Sequence, residues 1–349
     1  MSQSGLPRRR SRFSDRMGLD ACSALLTFFN LIGAAVAAVL EPVELSNDEF
    51  VVLICLAHAG GALSVGELER ASLLGAGRLG RAVDKLEKRR LIAWRRSTAD
   101  RRKVVVRMKS AGRRLIESLS PVMFELIRSV VEPLGRESTE FIRAKMRKIL
   151  SSAVPDLEGM FTDHRYDVPG HPAPPQNVGA DPRTRAAQRP TTWGLAGWLR
   201  CCQWSHHVDR IYRSKFRNLG LTAPRLQVLA VLAGATEGMT VDAVASASGL
   251  HQERLTSSLS ALERAGLITK SDHRAQPGAG LLRLTTRGEQ KMLEALPKAN
   301  SLADDLYQGL SNEDLERVLS LIPKGCSAAR QVSHHYSAAL RLASTASAQ

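Results

Sequence analysis

Apolar and polar positions along this chain change period several times, and each change marks the edge of an element. From Gly75 the apolar residues Leu79, Val83 and Leu86 recur at helical spacing, while Arg78, Arg81, Lys85 and Lys88 fall on the opposite face. This pattern predicts an amphipathic helix with a basic outer surface. After Leu91 and Ile92 the period shortens to two, with Val104, Val106 and Met108 on one side and Val105 and Arg107 on the other, which predicts a short hairpin. Its tip, Arg95 to Lys103, carries five basic residues against the single acid Asp100. Upstream, Ser46 with Glu49 and Ser64 with Glu67 have the spacing of capping boxes, each placed to start a helix. Downstream, Leu115, Leu119, Phe124 and Ile127, then Phe141, Ile142, Met146 and Ile149, predict two long helices.

The second half repeats this order. Leu221 and Thr222 match Leu45 and Ser46, Thr240 matches Ser64, LERAGLI at 262–268 matches LEKRRLI at 86–92, and Gly288 matches Gly112, every pair separated by 176. A constant offset through helix, turn, helix and hairpin implies duplication of one folding unit. In the copy, Leu255, Leu259 and Leu262 form the expected buried face, and the stretch from Trp193 supplies a long leading helix on which His206, His207 and Arg210 read as solvent-facing positions. Between the halves, seven of the 15 prolines fall within 153–190, a linker composition. The expected fold is mainly α with small β-hairpins: two winged helix-turn-helix domains, each flanked by long dimerisation-type helices. The expected organisation is a disordered basic arm over 1–15, a first domain over 16–152, the Pro-rich linker over 153–190, a second domain over 191–332 and a tail over 333–349. Ala21 to Leu40 carries no charge and has the length of a membrane span. Asn30, Gly33 and six alanines weaken that reading, so a helix buried between subunits or domains is expected, and no membrane as partner.

The formal charge of +15, with a sequence pI near 10.2, points to a polyanionic partner. The five cysteines have no metal-ligand spacing, and neither a nucleophile–base pattern nor a phosphate-binding glycine loop is present. An enzyme, a cofactor and a metal are therefore not expected, and the thiols suit a reducing cytoplasm. His164 and His171, in the linker, read as solvated rather than ligating.

The residues Asp100, Arg102, Val104, Val106, Met108 and Gly112 resemble the wing signature of the MarR family of bacterial transcription regulators. The resemblance extends over nearly all of both halves, and the tandem copy departs from the usual one-domain member. The first half has Arg90 where the family usually has Gly and Met108 Lys109 in place of Leu-Thr. The second keeps Gly266 and Leu284 Thr285, yet has Gln276 and Gly278 in place of the wing aspartate and arginine. The resemblance implies a DNA-binding regulator, expected to be a repressor, with double-stranded DNA as partner and a small aromatic or phenolic effector as a further one. Arg78, Arg81, Lys85 and Lys88 would face the major groove, while Arg95, Arg96, Arg101, Arg102 and Lys103 would reach the backbone and minor groove, Asp100 steadying Arg102. His251, Gln252, Arg254 and Ser257 would start the corresponding helix in the copy, with Arg274 near its wing. Cys22 lies where peroxide-sensing members carry a reactive cysteine, against which an inert buried thiol is the favoured reading, since the first domain has no tyrosine. Assembly is expected as an intramolecular pseudodimer, with a homodimer as the other option. The reading of another class is an architectural protein that binds anionic surfaces without sequence preference.

Overall fold

The computed structural model describes residues 16–96, 104–153, 191–235, 237–272 and 280–346. The expected basic arm, the tip of the first wing, most of the linker and the second wing tip lie outside the described residues. In chain order the elements are α1 (Met17–Leu40), α2 (Asn47–His58), β1 (Ala62–Ser64), α3 (Val65–Ser72), α4 (Ala76–Lys88), β2 (Ile92–Arg96), β3 (Val104–Met108), α5 (Ser110–Val131) and α6 (Arg136–Ala153). They continue as α7 (Thr191–Phe216), α8 (Ala223–Ala233), β4 (Met239–Thr240), α9 (Val241–Ser248), α10 (Gln252–Arg264), β5 (Ile268–Asp272), β6 (Gly280–Leu284), α11 (Thr286–Leu306) and α12 (Asn312–Ala346).

The chain forms two compact units. The first comprises Ile32–His207 with Ser327–Gln349, and the second comprises Met1–Leu31 with Val208–Cys326. Each therefore takes a leading helix from the opposite half of the sequence, since Met17–Leu31 of α1 belongs to the second unit and Thr191–His207 of α7 to the first.

In the first unit α2 is buried on every face from Glu49 to Leu56, so it forms the centre rather than one wall. Leu68 of α3, Leu79 and Leu86 of α4, Ile92 and Val106 of the sheet, and Ile116 and Met123 of α5 close around it. Both capping boxes form: Ser46 and Ser64 accept from the amides of Glu49 and Glu67, whose carboxylates accept in return from the cap amides. The sheet has the order β1-β3-β2, with Leu63 opposite Val106 and Trp94 opposite Val106 on the other side. Gly112 is required by a close approach, because a Cβ there would run into the carbonyl oxygen of Leu91, at the entry to β2.

The second unit has a sheet of order β4-β6-β5 with the same register. Met239 pairs with Leu282 and Ile268 with Leu284, which are 63 with 106 and 92 with 108 after adding 176. Gly288 meets the Leu267 carbonyl as Gly112 meets that of Leu91. Three left-handed backbone positions also coincide at this offset, with Glu44, Leu73 and Arg90 in the first unit and Gly220, Gly249 and Gly266 in the second. On α10 the buried residues are Leu255, Ser258 and Leu262, while Leu259 is half-buried.

The exchanged helices are seated by equivalent hydrogen bonds. In the second unit Thr27 Oγ1 donates to Ala247 O at 3.5 Å and Asn30 Nδ2 to Ser248 O at 3.3 Å and to Gln227 Oε1 at 3.1 Å. Gln227, buried in α8, completes the network by donating to Thr27 Oγ1 and Ser248 O, both at 2.8 Å. In the first unit Gln203 Nε2 donates to Ala71 O at 2.7 Å and His206 Nδ1 lies 2.9 Å from Ser72 O. Adding 176 to 27, 30, 71 and 72 gives 203, 206, 247 and 248, so each leading helix binds the same two carbonyls at the end of a short helix. The stretch Met17–Val43 is long and apolar enough to cross a membrane, but 44% of its most apolar window is buried in the protein, and Thr27 and Asn30 have polar partners.

Candidate nucleic-acid interface

The helix α4 carries the exposed basic face that its period predicts, over a buried side of Leu79, Ala82, Val83 and Leu86. Arg81, Lys85 and Lys88 are exposed. Lys85 Nζ stands 3.6 Å from the buried Glu49 carboxylate yet keeps 65% of its side chain in solvent, so it neutralises that acid without leaving the surface. Arg78 behaves differently. Its Nε and an Nη donate to Asp48 of α2 at 2.9 and 2.5 Å, and the same Nη lies 3.4 Å from Nε2 of His206. The bidentate pair fixes the first turn of α4 to α2 and draws Arg78 away from the solvent-facing row. His206, read from sequence as solvent-facing, is half-buried with both ring nitrogens engaged, and His207 is buried, while Arg210 is exposed as expected. Arg89 is likewise engaged, donating to the carbonyls of Val43 at 2.8 Å and Glu44 at 2.5 Å.

The start of α4 is open. Gly75 caps it without a side-chain hydrogen bond, and a Cβ at Gly75 or Gly80 would meet nothing within 4 Å. Internal packing therefore does not require either glycine, and Gly80, inside the helix, costs it roughly 0.5–1 kcal/mol. They leave the first amides and one flank of the helix accessible to a large anion. On the wing, Arg95 is exposed and the Arg96 backbone pairs with Val104. Trp94, just before them on β2, is 43% exposed and its indole N–H donates to Glu87 of α4, which ties the wing strand to that helix. Asp100, Arg101, Arg102 and Lys103 lie outside the described residues.

The helix α10 presents His251, Gln252, Arg254 and Ser257 to solvent. Its exposed acids Glu253 and Glu263 offset Arg254 and Arg264, so its outer face is far less positive than that of α4. Arg274 lies outside the described residues.

Cys22 is buried in the second unit, its thiol 3.9 Å from Ala299 O, and burial pushes its pKa up to about 12. This is the setting of an unreactive thiol. The tyrosines missing from the expected first domain, 16–152, are supplied by the second half: burial, and after it the proximity of Cys22, raises the phenols of Tyr212 and Tyr307. No sequence window of one domain contains that juxtaposition. Burial also raises the thiols of Cys55, Cys201 and Cys202, that of Cys201 to about 12. Among the described residues no group of three His, Cys, Asp or Glu side chains is placed to hold a metal.

Helix, turn, basic helix and three-stranded sheet define a winged helix in the first unit. Residues 44–103 match the model of the MarR family. No curated protein matches the chain. Solved structures similar to it include the 6-hydroxynicotinic acid-regulated BpsR of Bordetella bronchiseptica, at 21% identity over 37% of this chain and 90% of that one, with a TM-score of 0.34. Others are CouR of Rhodococcus jostii RHA1 bound to p-coumaroyl-CoA, at 16% identity over 37% and 90% with a TM-score of 0.34, and the MarR family regulator AbsC of Streptomyces coelicolor, at 20% over 37% and 90% with a TM-score of 0.33.

Proposed function

We propose that this chain is a DNA-binding transcriptional regulator, acting as a repressor, in which two winged helix domains of one duplicated unit pair within a single chain. The domains are 16–152 and 191–332, joined by the linker 153–190, with a basic arm before them and a tail after. Each domain lends its leading helix to the other, so one chain supplies both halves of a pseudodimer. The observation that carries the reading is the outer face of α4, with Arg81, Lys85 and Lys88 exposed beside an uncapped glycine start, on the stretch that matches the MarR family model. The equivalent seats of Thr27 and Asn30 on one side and Gln203 and His206 on the other support the exchange. Recognition needs no catalytic group, and the protein is read as a cytoplasmic non-enzyme released from DNA by a small aromatic or phenolic effector.

The two helices are unequal readers. From Gly75 to Arg114 the sequence carries fifteen basic residues against three acidic ones, and the matching window 251–290 carries six against four. The operator is therefore asymmetric, one half-site held firmly and the other loosely. Footprinting on the DNA upstream of the protein's own gene at physiological salt tests this. A defined, unevenly protected site is expected, and uniform binding to any duplex would favour the architectural reading instead.

A further inference from the structure

The basic helix α4 begins Ala76, Gly77, Arg78 after the cap Gly75, so Arg78 is the first side chain along it that can donate a hydrogen bond. In helix-turn-helix proteins the first turn of this helix is the part that meets base edges. Arg78 is nevertheless already engaged: its Nε and an Nη donate to the two carboxylate oxygens of Asp48, at 2.9 and 2.5 Å. His206 of α7 meets the same Nη. Its Nδ1 lies 2.9 Å from Ser72 O, which can only accept, so Nδ1 carries the hydrogen and the lone pair of Nε2 faces Arg78 at 3.4 Å. A carboxylate and an imidazole thus present acceptors to one guanidinium.

The fold itself does not need this arrangement. Adding 176 to 48 and 78 gives Pro224 and Arg254, and subtracting 176 from 206 gives Asn30. The second unit therefore has no carboxylate at the equivalent place and leaves Arg254 exposed, while the buried Leu255 and Leu262 still seat α10. In the first unit Leu79, Val83 and Leu86 do the same for α4. The acid is placed only beside the reader whose window carries fifteen basic residues against three acidic ones, where another free arginine would add to the attraction for any phosphate backbone. The side chains of Arg78 and Asp48 are 36% and 25% exposed, so the pair can open without disturbing the core.

We propose that Asp48 sets the specificity of the first reader, by holding Arg78 until a guanine edge replaces the carboxylate; this rests on the DNA-binding reading. The two oxygens of a carboxylate and the O6 and N7 of guanine each offer two acceptors to the same guanidinium fork. Where the operator supplies that edge, Arg78 exchanges one bidentate partner for another. Where a different base faces it, Arg78 stays on Asp48 and contributes no free charge to binding. Asp48 is a positioning residue, acting on DNA through Arg78.

Affinity measured by fluorescence anisotropy across a salt series tests this, using the full-length chain and two duplexes of equal length: one carrying the site footprinted upstream of its own gene, the other the same bases shuffled. Asp48→Asn is expected to tighten binding to the shuffled duplex and to steepen its salt slope by about 0.9, the effect of one more neutralised phosphate. The operator-to-shuffled ratio should fall at least about fivefold, the lower end of what one bidentate base contact discriminates. Placed on Arg78→Ala, the same Asp48→Asn change should move neither slope nor ratio. If Asp48→Asn fails to fold, Arg78→Lys decides, since it keeps the charge but lacks the fork and should lower the ratio by a similar factor. An unmoved ratio, or an effect of Asp48→Asn that persists without Arg78, would overturn the role of Asp48 while wild-type discrimination leaves the DNA-binding reading standing. Wild-type protein that binds both duplexes alike, or neither, would overturn that reading and this proposal with it.

Discussion

At the scale of single residues, the first unit carries three side chains in left-handed backbone where the second has glycine. Arg90 has φ of 59° and is exposed, so nothing but its own Cβ is gained or lost on truncation. Arg90→Gly is expected to stabilise the first unit by about 1 kcal/mol in chemical denaturation, because a non-glycine residue in this region costs roughly 1–2 kcal/mol, part of which glycine's freedom in the unfolded chain takes back. A loss of stability would mean that the Arg90 side chain makes a contact worth more than the strain. His58 is held at about 4, chiefly by burial and then by the charge of Arg200. Its folded value lies below the unfolded 6.5, so the unfolded chain binds the extra proton between them. Stability is therefore complete above pH 6.5 and falls as pH drops towards 4, by up to about 3 kcal/mol from this residue. His58→Gln should flatten that part of the stability–pH curve, and an unchanged slope would remove His58 as its source. The thiols make a third test: the buried Cys22 and Cys55 should react with a thiol reagent only on unfolding, and fast labelling of native Cys22 would reopen the redox reading.

At the scale of elements, the capped starts of α2 and α3, the buried stripe of α4 and the alternation of β3 were all legible in the sequence, because each depends on neighbours within one or two turns. Their exposed positions were less so. Arg78 and Lys85 lie on the same predicted face, yet Arg78 is tied to Asp48, 30 residues earlier, and Lys85 is not withdrawn from solvent. Helical period cannot distinguish them, since the acid that captures Arg78 belongs to another helix. The apolar run of α1 shows the same limit: its composition suits a membrane or a core, and only the seats of Thr27 and Asn30 reveal what its polar residues are for. For α4 and α10 the expected outcome is unequal. Arg81→Ala should weaken operator binding by roughly 1–3 kcal/mol and lower the salt slope by about 0.9, and Arg254→Ala should cost less than half as much. Equal losses in a salt series would show that the charge difference between the two helices does not govern binding.

At the scale of the whole molecule, the offset of 176 was legible as a repeat of motifs, but not as an exchange of helices. Both a side-by-side and an exchanged arrangement have the same sequence periodicity. What separates them is which carbonyls Gln203 and Asn30 reach, and those lie 132 and 218 residues away. If one chain supplies both readers, it should need no second copy to occupy an operator. Light scattering of the complex with a short operator duplex measures this directly. The expected mass is one 38.0 kDa chain per duplex. Two chains per duplex, persisting as protein is diluted through the micromolar range, would contradict the intramolecular pseudodimer.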